Sequence, residues 1–242
     1  MKILKIAAAV ALTFTIAGGA QAARIAVVDA TGNSLSNTVT VANELEAGST
    51  VSNVSGSFMN GQSAASLIAN YDAIVFSWAG SSYSAGYWSK LVSFVSAGGG
   101  VIFDGAQSAT SAFAGSGVTF FGASSFSSGT QNVTNHTFIA ENTVHADNHH
   151  LGGLTGTANW TQFLSHGATK LGLFASYGQG NVIVTSTDFF YHADNAGDRN
   201  FLKQELAYAL KGSDVPEPAS VSLLGLGLLG LIAARRKAIK KA

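Results

Sequence analysis

The chain is predicted to be an α/β protein built on a parallel sheet with helices on both faces. Three observations predict it. Short apolar runs recur at Arg24 to Asp29, Ala73 to Ser77, Val101 to Phe103 and Asn181 to Ser186, a length suited to buried strands rather than buried helices. Helical patterns of apolar residues separate them. The connections are short, as in strand–helix–strand units, whose crossovers are right-handed.

The elements follow in order. Arg24 to Asp29 reads as a buried first strand ending in an acid. Ser36 to Glu46 places Val39, Val41, Ala42 and Leu45 at helical spacing, with Gly48 as its stop. Thr50 to Val54 is a second strand and Ser63 to Asn70 a short helix carrying Ala64, Leu67 and Ile68. Ala73 to Ser77 is the third strand. Ser84 to Ala97 then sets Tyr87, Trp88, Leu91, Val92 and Val95 on one helical face, and the Gly98-Gly99-Gly100 run ends it before the strand Val101 to Phe103. Gln107 to Gly129, rich in Ser, Gly, Ala and Phe without a sustained period, reads as loop with one short strand around Val118 to Phe121. Regular structure returns with Lys170 to Ala175, the turn from Tyr177 to Gly180, and the strand Asn181 to Ser186. Asp198 to Leu210 is an amphipathic helix burying Phe201, Leu202, Leu206 and Leu210, and Gly212 to Val215 is a linker. The alternative fold is a β-sandwich, which exported chains rich in Ser, Thr and Gly often adopt.

Composition narrows the function. The 242 residues are 47% apolar and only 11% charged, with a formal net charge of zero. Such a chain can bury a core but has little with which to neutralise a phosphate backbone, so nucleic acid is excluded as a partner. The absence of cysteine excludes disulfides, thiolate metal sites and a thiol nucleophile. The neutral total hides an uneven distribution. Between Ala23 and Gly212 there are six basic and eleven acidic residues, while both ends of the chain are basic and apolar.

The front end has the form of a secretory signal peptide over residues 1–22. Lys2 and Lys5 make a positive start and Ile6 to Ile16 an apolar stretch. Ala20, Gln21 and Ala22 supply the small–x–small pattern that signal peptidase accepts, so the mature chain is expected to begin at Ala23. The apolar stretch falls well short of the roughly 20 residues that span a bilayer, although a retained N-terminal anchor is the competing reading.

The back end has three parts in succession: Val215-Pro216-Glu217-Pro218, the apolar run Ala219 to Ala234, and a basic end from Arg235 and Arg236 to Ala242. The two prolines hold the tetrapeptide extended and outside the helix that follows. At about 1.5 Å per residue the apolar run spans about 24 Å, marginal for a transmembrane helix over 219–234. The basic residues over 235–242 favour a cytoplasmic C-terminus. The tail resembles the PEP-CTERM sorting signal of Gram-negative bacteria that make exopolysaccharide, over residues 213–242. That resemblance implies recognition by the membrane transpeptidase exosortase, cleavage near Pro216, Glu217 and Pro218, and delivery to the cell surface or extracellular matrix. A plain, uncut membrane anchor is the other reading.

The body, residues 23–212, resembles the class I glutamine amidotransferase-like fold, a flavodoxin-like α/β sandwich. The likeness is carried by Tyr71 to Phe76 with its helix, by Phe94 to Asp104, and by Tyr177 to Asp188. In that family an active enzyme carries cysteine after the strand that here ends at Phe103. This chain has Asp104-Gly105 there. A carboxylate is far less nucleophilic than a thiolate, so the amidotransferase activity does not carry over and no cofactor is implied.

Two polar groupings carry candidate chemistry. Asp29, Asp104 and Asp188 each fall at the carboxyl end of a predicted parallel strand, where open α/β sheets place their ligands. Such carboxylates can do acid–base work, bind sugar hydroxyls, or cap the backbone that follows. His145, Asp147 and His149 alternate in sequence and could hold a metal ion, with His136, His166 or His192 completing the set. An exposed polar loop is the bland reading. Trp78, Tyr83 and Trp160 lie near predicted loops and could stack on sugars, while Tyr87 and Trp88 fit a helix core face.

Three function classes follow. The first is a non-catalytic protein sorted to the envelope or matrix, its body binding or structural and its partner extracellular polysaccharide. The second is a surface hydrolase using the strand-end aspartates. The third is an uncleaved, membrane-anchored periplasmic binding module. Signal peptidase and exosortase are the processing partners in the first.

Overall fold

Strands whose side chains are buried on both faces need cover on both, and this sequence supplies it with helices. The computed structural model describes residues 22–30, 32–77, 87–105, 114–125, 128–147, 150–193 and 196–212. In chain order the elements are β1 (Arg24–Val28), α1 (Ser34–Leu45), β2 (Thr50–Val54), α2 (Gly56–Gly61), α3 (Ala64–Asn70), β3 (Ala73–Ser77), α4 (Tyr87–Ser96) and β4 (Gly100–Asp104). There follow β5 (Val118–Ser125), β6 (Ser128–Val133), β7 (Thr143–Asp147), β8 (His150–Gly156), β9 (Thr161–His166), β10 (Thr169–Tyr177), β11 (Gly180–Thr185), α5 (Phe189–His192) and α6 (Ala196–Leu210).

One nine-stranded sheet runs in the order β2-β1-β3-β4-β11-β10-β9-β6-β7, with β5 and β8 paired separately. The first five strands are parallel to one another, and the remaining pairs are antiparallel. This mixed α/β architecture excludes the β-sandwich. The antiparallel half also corrects the expectation of a wholly parallel sheet. Strand alternation splits the core into two layers. On one side Ala26, Val28, Ile74, Phe76, Val101 and Phe103 pack against Met59, Leu67, Tyr87, Leu91 and Phe94 from α2, α3 and α4. Phe76 and Phe103 stack there with ring centroids 4.3 Å apart. On the other side Ile25, Val27, Val75, Ile102 and Ile183 pack against Val41 and Ala42 of α1 and Phe201, Leu202 and Leu206 of α6.

Local chemistry sets the boundaries. The Ser55 and Ser63 hydroxyls cap α2 and α3 by accepting the N–H of Phe58 and Ser66, both at 3.1 Å. Gly48, at φ 90°, turns the chain from α1 into β2. The two-residue turn between Tyr177 and Gly180 joins β10 to β11 as the sequence predicts.

Two expectations need correction. The short strand expected around Val118 to Phe121 is present and runs on as β5 over Val118–Ser125, and Ser128 and Gly129, read as loop, begin β6. The Gly and Ser residues of these added parts show no period of their own, and pairing with distant β8, β7 and β9 makes them strand. The helix from Asp198 buries two acids as well as apolar residues, because Glu205 is fully buried and Asp198 nearly so, while Leu210 is only half-buried. Among the described residues no helix is long and apolar enough to cross a membrane, and the predicted transmembrane run 219–234 lies outside them.

Candidate functional site

The strand order 2-1-3-4 followed by a fifth parallel strand is that of doubly wound sheets, which bind ligands beyond the carboxyl ends of their strands. Asp29 stands at the end of β1, Asp104 ends β4, and Asp188 follows β11. The three are thus brought to one edge of the sheet, but into different surroundings.

Asp29 borders an open cavity of about 380 Å³ lined by Asp29, Ala30, Asn53, Val54 and Ser55. Its backbone is held at φ 48°, and among the described residues it is the non-glycine residue with a positive φ. Asp and Asn tolerate that left-handed conformation better than other side chains do. Hydrogen bonds at Asp29 and at its neighbour Ala30 help hold it. The Asp29 N–H donates to the Val54 carbonyl at 2.8 Å, the Gly56 N–H donates to Asp29 Oδ1 at 2.9 Å, and the Ala30 N–H donates to Asn53 Oδ1 at 3.3 Å. A carboxylate, an amide and a hydroxyl therefore gather where β1 and β2 end.

Asp104 is fully buried. Its Oδ1 accepts the Phe189 N–H at 2.9 Å and the Thr185 hydroxyl at 3.3 Å, and its Oδ2 accepts the Phe190 N–H at 2.9 Å. It thus caps the first turn of α5. Burial, then the Glu205 and Asp188 carboxylates, push its pKa well above the ordinary carboxylate range against the pull of the two amides. Glu205 on α6 is also driven well up by burial, and neither of its oxygens has a hydrogen-bond partner. Asp188 is nearly buried, with His192 Nε2 3.5 Å from its Oδ2. The neighbourhood continues through Thr187, whose hydroxyl lies 3.1 Å from Gln131 Nε2.

The remaining candidates lie apart. His145 and Asp147 both belong to β7, while His149 lies outside the described residues. His136 Nδ1 sits 3.1 Å from the Ile139 carbonyl, and His166 Nδ1 the same distance from that of Thr130. Among the described residues no group of three His, Cys, Asp or Glu side chains could hold a metal ion. Trp160 is a core residue, buried beside Trp88 and Tyr177 with its indole N–H donated to the Ser116 carbonyl at 2.9 Å. Trp78 and Tyr83 lie outside the described residues, as do Ala20 and the tail residues Val215, Pro216, Glu217, Pro218, Arg235 and Arg236.

Sequence reading missed Asn53, Ser55 and Glu205 as partners in these places. Asn53 and Ser55 become visible only once β2 is known to lie beside β1. Glu205 interrupts an apolar helix face and could have been noticed there.

Comparison with known proteins supplies what these residues do not. Residues 214–237 match the family model described as the PEP-CTERM protein-sorting motif. The chain carries a PEP-CTERM sorting motif. That motif implies export and sorting by exosortase to the cell surface. No curated protein matches the sequence. The fold of this chain is similar to that of a cytoplasmic protein from Salmonella typhimurium LT2, with a TM-score of 0.52 at 13% identity over 78% of this chain and 96% of that one. It is also similar to a GMP synthase protein from Thermoplasma acidophilum (TM-score 0.51, 15% identity, 78% of this chain and 95% of that one). A third similar structure is a β-galactosidase from Bacillus circulans sp. alkalophilus (TM-score 0.55, 10% identity), where the match covers 80% of this chain but 31% of the galactosidase. These likenesses concern the fold alone.

Proposed function

We propose that this chain is a non-catalytic exported binding protein, its α/β body (23–212) holding extracellular polysaccharide at the cavity beside Asp29. In this reading residues 1–22 are removed on export. The tail over 213–242, with its membrane helix at 219–234, is removed at Pro216, Glu217 and Pro218, leaving the body at the cell surface or in the matrix. The five parallel strands form a flavodoxin-like core of the amidotransferase type, with the chemistry of that family lost.

The cavity is the observation that carries the reading. A carboxylate, an amide and a hydroxyl around an open space can exchange hydrogen bonds with water for hydrogen bonds with sugar hydroxyls, and need no net charge to do so. Asp104 supports the non-catalytic part. A nucleophile or general acid must reach its substrate, and this carboxylate is enclosed and spends both oxygens on the amides of α5.

The test is affinity electrophoresis of the mature protein through gels containing the host's exopolysaccharide. Retarded migration is expected, and Asn53→Ala and Asp29→Ala should abolish it. Unretarded wild-type protein, or equal retardation of both variants, would refute the cavity. Release of reducing sugar from the polymer would favour the hydrolase instead.

A further inference from the structure

We propose that the α-ammonium group created at Ala23 by removal of the leader is received by the Glu46 carboxylate, so that processing completes the folded body. The inference rests on reading Ala20, Gln21 and Ala22 as the signal-peptidase site, and it is independent of the polysaccharide reading.

β1 begins one residue after the expected cut. Ala23 is only 4% exposed and packs in the core layer with Ile25, Val41 and Ala42. Its carbonyl accepts the Thr50 N–H at 2.8 Å. In an extended strand the N–H and C=O of one residue point toward the same neighbour. The Ala23 nitrogen therefore faces the β2 side, where the turn from Glu46 to Ser49 leads into β2. Ala22 lies on this side too, its Cβ 3.8 Å from where a Cβ on Gly48 would stand.

On the opposite side of β1 the acid is already committed. Asp72 accepts the Arg24 backbone N–H at 2.8 Å and the Arg24 guanidinium at 2.7 and 3.1 Å. Glu46 is not. Its backbone N–H donates to the Ala42 carbonyl and its own carbonyl accepts the Ser49 hydroxyl, but its Oε1 is buried without a hydrogen-bond partner.

Glu46, at the end of α1 before β2, and the Ala23 nitrogen thus lie on the same side of β1. A buried carboxylate oxygen without a donor is costly, and so is a charged amine without an acceptor. Hydrolysis of the Ala22–Ala23 peptide bond adds water across it. The hydroxyl goes to the departing Ala22 carboxyl and a hydrogen to the Ala23 nitrogen, which takes up a further proton near neutral pH. A neutral amide with one N–H becomes a cation with three, beside an acid that lacks a donor. The precursor cannot form this pair. The processed body can, which ties its full stability to the removal of the leader.

Competitive trace acetylation of the processed protein from its exporting host tests the proposal, with a free Ala-Arg-Ile peptide as reference and the first residue read by mass. The Ala23 amine of the folded protein should react about tenfold more slowly than the peptide, because a carboxylate partner favours the protonated, unreactive amine. Concentrated urea should restore the peptide's rate. Glu46→Gln should label at the peptide's rate in the folded state, and Glu46→Asp should fall between. Wild-type labelling as fast as the peptide would overturn the proposal whether or not the variants fold. So would an unchanged rate in Glu46→Gln, or a first residue other than Ala23. Glu46 lies at the opposite end of the sheet from the Asp29 cavity, so retention of Glu46→Gln on polysaccharide should be unaltered and the two readings fail separately.

Discussion

Phe190 donates its backbone N–H to Oδ2 of Asp104 at 2.9 Å, tying the first turn of α5 to the end of β4. With the Phe189 N–H on Oδ1, this makes a fully buried carboxylate the cap of a helix eighty-five residues away in the chain.

The first prediction follows from that bond pair. Asp104→Ala strands two buried N–H groups and should lower stability by about 3 kcal/mol, read from urea denaturation. Polysaccharide retention should not change. A loss of retention with unchanged stability would make Asp104 a ligand group rather than a cap.

Glu205 sets a dependence on pH. Burial raises its pKa well above the ordinary 4.5, so the folded state holds a proton that the unfolded chain gives up. Stability from this group is therefore greatest at acid pH and falls as pH rises past the unfolded carboxylate value. Asp104, also raised, acts in the same direction. Urea midpoints measured between about pH 4 and about pH 8 should decline, and Glu205→Gln should flatten the decline while stabilising the protein at the alkaline end.

Gly180 begins β11 where the backbone of the α4–β4 connection passes closest. A Cβ there would collide with the carbonyl oxygens of Gly99 and Val95, which are backbone and cannot rotate aside. Gly180→Ala should cost about 3 kcal/mol, measured as a lowered thermal midpoint.

The tail makes a separate prediction. Replacing Pro216, Glu217 and Pro218 with alanine should leave residues 219–242 attached, with intact mass in the membrane fraction as the readout. Unmodified protein should lose them only in cells that contain exosortase. Retention of the segment in both strains would make the tail an ordinary anchor.

Sequence alone determined the sorting motif near the C-terminus and the parallel half of the sheet. The Pro-Glu-Pro triplet with its apolar run and arginines is a linear signal, so no fold is needed to see it. The strands at Ala73–Ser77 and Gly100–Asp104 were legible because burial on both faces leaves continuous apolar runs, and α4 because one face is apolar. Tertiary structure decided the rest. The strand at Val118 to Phe121 is marked by its own residues, but its extension to Ser125 and its pairing with β8, Leu154 opposite Phe120, follow from no local pattern. Asp29 and Asp104 look alike in sequence, each an acid after an apolar strand. One borders an open cavity and the other is sealed beneath α5, because β1 lies beside short, exposed β2 while β4 lies between β3 and β11. Burial is set by neighbours in space, and for these residues the neighbours come from distant parts of the chain.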